Sequence, residues 1–226
     1  LPLEAAESRY QACCGKVICV GCIHAVLKTD SRCLCPFCRA PESTSDKEYL
    51  KRLTERVAGG GDAVAIYSLG GCYYEEGGYD LPQDWGKANE LWLRAGELGY
   101  ARSFYNLANS YYNGTGVVRD MKKAKHYYEL AALGGDVHAR YNLGSIESCE
   151  GNMDRAVKHL MISAGAGFDV SFKSVRRLFS AGHVTKDDFE KALRAHKEAK
   201  DEMKSDQRDA AAAARGRRFD AGGRKF

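Results

Sequence analysis

Asp84-Trp85-Gly86-Lys87-Ala88 returns as Asp120-Met121-Lys122-Lys123-Ala124, as Asn152-Met153-Asp154-Arg155-Ala156 and as Asp188-Phe189-Glu190-Lys191-Ala192, at spacings of 36, 32 and 36 residues. Asp or Asn at the first position can accept the free N–H groups that open a helix. The alanine four residues on lets a neighbouring helix approach closely. Eleven residues after the first three alanines stand Gly99, Gly135 and Gly167, where a helix can end in the left-handed conformation. A further helix precedes each of these. Leu69, Leu107, Leu143 and Leu178 mark it, each with a small residue four positions earlier: Ala65, Ser103, Ala139 and Ser174. Small and large side chains one turn apart on one face are what interlocking helices need. So short a helix pair cannot bury its own apolar face, and the units must stack. The repeat period therefore predicts a mainly α chain, an α-solenoid of antiparallel helix pairs.

Leu69-Gly70-x-x-Tyr73-Tyr74, then Asp84 with Lys87-Ala88, then Ala95-Gly96-x-x-Gly99 resembles the SEL-one-like repeat, a relative of the tetratricopeptide class. Leu107 to Gly135 is more similar still, with Tyr111-Tyr112-Asn113-Gly114-Thr115-Gly116-Val117 as the expected loop. The third unit lacks that loop and turns at Glu150-Gly151. The fourth has no glycine after Ala192, and its helix reads on through Lys200 toward Ala214 as a terminal cap. The resemblance covers residues 62–200 and implies a non-catalytic scaffold for assembling protein complexes. Within those residues the chemistry agrees: Trp85, Trp92 and the tyrosine pairs read as core or groove positions. The histidines are scattered, and the glycine clusters lack the lysine and hydroxyl of a phosphate loop.

The other strong signal is cysteine. Seven of nine fall between Cys13 and Cys38: Cys13-Cys14-Gly15-Lys16-Val17-Ile18-Cys19-Val20-Gly21-Cys22, then Cys33-Leu34-Cys35-Pro36-Phe37-Cys38. A Cys-x-x-Cys pair can turn two thiolates onto one ion. Two such pairs, 19/22 and 35/38, plus extra thiols suit tetrahedral zinc. A disulfide framework is the alternative; no secretory leader is visible, and Cys72 and Cys149 sit singly in helical pattern.

The run from Cys14 to Cys22 is similar to the middle of a RING finger, which usually reads Cys-Gly-His-x-x-Cys-x-x-Cys. Cys35-Pro36-Phe37-Cys38-Arg39 is similar to its closing pair. Lys16 occupies the usual histidine position, and an ammonium has no lone pair for zinc. The resemblance implies two interleaved zinc sites. Cys19 and Cys22 would share one with an opening pair expected upstream of Leu1. Cys14, Cys35 and Cys38 would hold the other, with Cys13, His24 or Cys33 as fourth ligand and Cys13 preferred. It further implies docking of a ubiquitin-conjugating enzyme on Ile23, Leu27 and Pro36, with Arg39 bridging enzyme and ubiquitin. The repeats would hold a protein substrate or complex subunits, in a RING-type ubiquitin ligase-like protein. The alternative is a non-catalytic, zinc-binding interaction scaffold.

Composition fits this organisation. With 226 residues and 44% apolar content, the chain can bury a core in one or two domains. No apolar run is long enough for a membrane span. The net charge of +4 is matched by the balance of residues 215–226 alone, so a nucleic-acid partner is not expected. Beyond Gly216 apolar periodicity is absent, which predicts disorder. Ser45 with Glu48 reads as a capping box ahead of Leu50, Leu53 and Val57. The expected domains are a RING-like finger at 1–40, a linker helix at 41–61, repeats at 62–200 and a helix extension with basic tail at 201–226. With the cysteines read as zinc ligands and not as disulfides, the expected location is the cytoplasm or nucleus.

Overall fold

The computed structural model describes residues 8–29, 34–76, 79, 81–206, 208–211 and 213. They divide into two compact units, one drawn from Leu1–Ala65 with Met203–Phe226, the other Ile66–Glu202.

The first unit opens with a hairpin. β1 (Ser8–Gln11) pairs antiparallel with β2 (Lys16–Cys19), placing Ser8 opposite Cys19 and Gln11 opposite Lys16. The β-branched pair Val17-Ile18 suits an extended strand. α1 (Val20–Thr29) follows at once. α2 (Asp46–Ala58) starts at Ser45, whose Oγ accepts the Glu48 N–H at 3.2 Å. The Glu48 carboxylate returns to the Thr44 N–H at 3.0 Å, one residue earlier than the reciprocal bond of a standard capping box. Leu53 is fully buried, while Leu50 and Val57 are half-buried.

The described residues of the second unit form helices joined by turns and loops, with no strand. α3 (Ala63–Tyr74) enters it. α4 (Trp85–Glu97), α5 (Ala101–Asn113), α6 (Met121–Leu133), α7 (Val137–Cys149), α8 (Met153–Gly165), α9 (Asp169–Ser180) and α10 (Lys186–Met203) follow. Neighbours in sequence from α4 to α9 pack on one another. The chain is thus mainly α, with a solenoid of stacked helix pairs. Ala88, Ala124, Ala156 and Ala192 are all buried, as close helix approach requires. Gly99, Gly135 and Gly167 are left-handed at φ of 94°, 90° and 90°. After each, one N–H returns to a carbonyl five residues back: Tyr100 to Ala95, Asp136 to Ala131 and Phe168 to Ser163. None of the described helices is long and apolar enough to cross a membrane.

Four local readings are corrected. The buried pair of the fourth unit is Ser171 and Val175, both fully buried, in place of Ser174 and Leu178. The short turn of the third unit removes residues, so the pair arrives 32 positions after Ala139 and Leu143. Asn152 makes no side-chain cap; its Nδ2 donates to Glu147 Oε2 at 2.9 Å. α10 starts a turn before Asp188, because Thr185 Oγ1 accepts the Asp188 N–H at 3.2 Å and donates to Asp188 Oδ2 at 2.8 Å. The terminal helix also stops at Met203. Arg208 Nη1 donates to the Met203 carbonyl at 2.8 Å, and Ser205 Oγ accepts the Arg208 N–H at 3.2 Å, so one helix is closed and another opened. The expected disordered tail beyond Gly216 lies outside the described residues.

Candidate metal centre

Two tight loops of the first unit converge. Between the strands, the Gln11 carbonyl accepts the N–H groups of Cys14 at 3.1 Å and Gly15 at 2.8 Å, which places Cys13 and Cys14 in the turn. Gly15 is left-handed, φ 73°, and a Cβ there would stand 2.2 Å from Arg56 Nη2. A side chain there would strain the backbone and displace the Arg56 guanidinium. In the second loop the Arg39 N–H donates to the Cys35 carbonyl at 2.9 Å and the Cys35 N–H to the Ala40 carbonyl at 2.8 Å.

These loops bring the sulfurs of Cys13, Cys14, Cys35 and Cys38 within 4.8 Å of one another. Cys14 and Cys35 are 3.7 Å apart, and Cys13 and Cys38 3.4 Å. Both spacings far exceed the ~2.05 Å of a disulfide. They approach the edge of about 3.8 Å in a tetrahedron with metal–sulfur bonds near 2.3 Å. Four thiols so placed fit one sulfur-seeking tetrahedral ion.

Burial of Cys35 opposes its ionisation, but the N–H groups of Cys38 and Phe37 outweigh it and bring the thiol to about 7. Burial pushes Cys13 up, and the Cys38 and Cys35 thiols add to it. Burial also raises Cys14, against an N–H from Lys16. A thiolate forms readily at one corner, and a cation would draw the others into the ionised form. Beside Cys13 an open cleft of about 610 Å³ is lined by Arg52 and Arg56 together with Glu55 and Asp62, so cations and carboxylates balance there.

Cys19 and Cys22 do not join the cluster. Their sulfurs are 3.2 Å apart where β2 passes into α1, and the Cys22 N–H donates to Cys19 Sγ at 3.3 Å. Burial opposes ionisation of Cys19, but Cys22 and the Arg208 guanidinium outweigh it and lower the thiol. Cys22 is raised, chiefly through its hydrogen bond with Cys19. Among the described residues, His24 is not in the four-thiol group. Cys33 lies outside the described residues. Lys16 is exposed on β2.

Ile23 and Pro36 line one small groove of about 30 Å³, together with Val26 and Leu34. The Leu27 side chain lies outside what the structure describes. Arg39 is not among the residues lining the groove; its backbone is left-handed, φ 61°. Val26 and Leu34 escape the sequence reading, although Val26 follows Ile23 by three on α1, a spacing that shares a helix face.

The helical unit has its own signature. Each described loop-bearing pair repeats one arrangement: an Asp N-cap, a buried alanine and a left-handed glycine. Residues 63–100 and 103–136 match the Sel1 repeat. Among solved structures, a Sel1 repeat protein from Oxalobacter formigenes is 20% identical over 80% of this chain and 71% of its own, with a TM-score of 0.60. That likeness shows the fold. A protective antigen of uropathogenic Escherichia coli with an SLR fold, c5321, is 18% identical over 79% of this chain and 50% of its own, at a TM-score of 0.42. No curated protein sequence matches the chain.

The helix stack is held by packing and polar locks. Trp92 Nε1 donates to the Tyr67 carbonyl at 3.2 Å, and a Cβ on Gly70 would stand 2.6 Å from that nitrogen. Glu147 is fully buried between Lys125 Nζ at 3.0 Å and Arg155 Nη2 at 3.2 Å. Burial opposes its charge, yet Lys125 and Asn152 hold the carboxyl below its ordinary value. Trp85, read as a core or groove residue, is 43% exposed.

Proposed function

We propose that the N-terminal unit is a zinc-stabilised, RING-like finger that recruits a ubiquitin-conjugating enzyme, and that the Sel1 repeats hold a protein substrate or the subunits of a complex. One observation carries the reading. The clustered sulfurs come from the first and third cysteine pairs, 13/14 and 35/38, and skip the pair between them. That interleaving is the order in which RING fingers share their ligands. Zinc, bound there, would cross-link two loops too small to bury a core. Cys19 and Cys22 would belong to a second site.

The finger contributes no nucleophile in this reading. Ile23 and Pro36 would offer the conjugating enzyme an apolar seat, extended by Leu27. Arg39 would bridge the enzyme and its ubiquitin, holding the thioester in a reactive conformation, a positioning effect. Reduced thiols at the site suit the cytoplasm or nucleus.

The test is discharge of ubiquitin from charged conjugating enzymes onto lysine, with and without the zinc-loaded chain. The chain should accelerate discharge, and Ile23→Ala and Arg39→Ala should each slow it. If zinc is bound but no enzyme in a broad panel is accelerated, the finger is an interaction module and the protein an assembly scaffold. The Sel1 repeats favour that second reading independently of the finger.

A further inference from the structure

The residue that follows the repeated Asp or Asn is apolar in all four units: Trp85, Met121, Met153 and Phe189. In the fourth unit the packing covers it, since Phe189 stacks on Phe179 at 4.5 Å and on Phe172 at 6.1 Å. In the two loop-bearing units it stays open, with Trp85 43% and Met121 39% exposed. Tyr112 is 40% exposed, and Val118 projects from the loop at 87% exposed.

That loop is anchored. Asn89 Nδ2 donates to the Thr115 carbonyl at 2.9 Å, and the Asp120 N–H to the Tyr111 carbonyl at 2.9 Å. Gly116 lies against the backbone and Cβ of Trp85 so closely that its own Cβ would stand 2.5 Å away. Arg119 Nε fixes the last turn of α5 by donating to the Tyr112 carbonyl at 3.0 Å. Val118 is thus presented from a loop that Gly116 tethers against Trp85.

Cations are in excess around these side chains, four against the three carboxylates of Asp84, Glu90 and Asp120. Lys87, Arg119, Lys122 and Lys123 are exposed. Two of those carboxylates keep their charge but lie over helix N–H groups, Asp84 accepting that of Lys87 at 2.9 Å and Asp120 those of Lys122 and Lys123 at 3.0 Å, while Glu90 is exposed. Apolar anchors ringed by cations favour a ligand that brings apolar side chains among carboxylates.

We propose that this edge, with Trp85, Tyr112, Val118 and Met121 at its centre and Lys87, Arg119 and Lys122 at its rim, docks an acidic peptide segment of a partner protein through aromatic or aliphatic anchors. The proposal rests on the reading of the repeats as a scaffold and assigns that role to one edge.

Random linear peptides displayed on phage would be selected on the immobilised full chain. Enriched peptides should combine Asp or Glu with Trp, Phe or Leu, and should bind less tightly as salt rises. Trp92 is 3% exposed, so acrylamide quenching reports mainly on Trp85, and a bound peptide should protect it. The double variant Trp85→Ala/Val118→Asp should weaken binding at least about tenfold, and Lys122→Glu should weaken it separately, each with an unchanged circular dichroism melt. Enriched peptides that bind these variants as tightly as the parent chain, or that are basic, would overturn the edge and leave the scaffold intact. Failure to enrich any peptide would count against both.

Discussion

The Tyr10 hydroxyl donates to Asp62 Oδ2 at 2.6 Å across 52 residues, and Arg56 Nε reaches the same oxygen at 3.0 Å. The other oxygen, Oδ1, accepts the Ala65 N–H at 3.0 Å. One carboxylate thereby ties β1 to the end of α2, and the guanidinium it orients lies against Gly15, next to the clustered thiols.

Burial opposes the charge of Asp62, but Tyr10, the Ala65 N–H and Arg56 outweigh it and lower its pKa. A carboxyl lowered on folding contributes stability above its unfolded value of about 3.9, and that contribution disappears as pH falls through the folded value. Urea denaturation followed by far-UV circular dichroism should therefore show the first unit losing stability below about pH 4. In Asp62→Asn the acid limb should be flatter and the neutral-pH stability lower. An identical acid limb in the variant would remove Asp62 from the explanation.

Gly15→Ala combines a left-handed backbone with a displaced Arg56 side chain. Left-handed geometry alone costs about 1–2 kcal/mol for a residue with a Cβ, and disturbing the Arg56–Asp62 pair adds to it. Chemical denaturation of the variant should expose the loss. Stability equal to the parent would mean that the turn relaxes freely.

Zinc retention should depend on the clustered thiols. Metal analysis after dialysis should find zinc in the parent chain and find that site empty in Cys35→Ala/Cys38→Ala. Acidification should release the ion, because protons compete for the sulfurs. Full retention in the double variant would place the metal elsewhere.

Ala124 is fully buried on α6. Leucine there should overpack the stack and cost about 1–3 kcal/mol, seen as a lower melting temperature. By contrast, leucine at the exposed Lys122 should change it little. Equal melting temperatures for all three chains would mean that the second helices meet through another face.

The stack was legible because its signals are short in range. Asp84 and Asp120 cap helices through N–H groups two or three residues away, and Gly99, Gly135 and Gly167 end them through a local backbone conformation. Alanine recurrence supplied the contact face, since the repeat itself brings equivalent helices together. Cysteine spacing announced that thiols would converge. Where the local signal was degenerate, the reading slipped: Val175 is the fully buried position, while Leu178, one turn on, is only partly buried against the same core.

The sequence by itself determined the helix-pair repeat, its period and the presence of a thiol-rich module. Only the tertiary structure decided that Cys13 lies 3.4 Å from Cys38, that Tyr10 finds Asp62, and that Trp85 is left open to solvent while the equivalent Phe189 is covered. Capping and periodicity act within a turn or two of helix, so nearest neighbours in sequence encode them. Which sulfur or hydroxyl meets a group 25 or 52 residues away depends on the path of every loop between, and no local pattern carries that information.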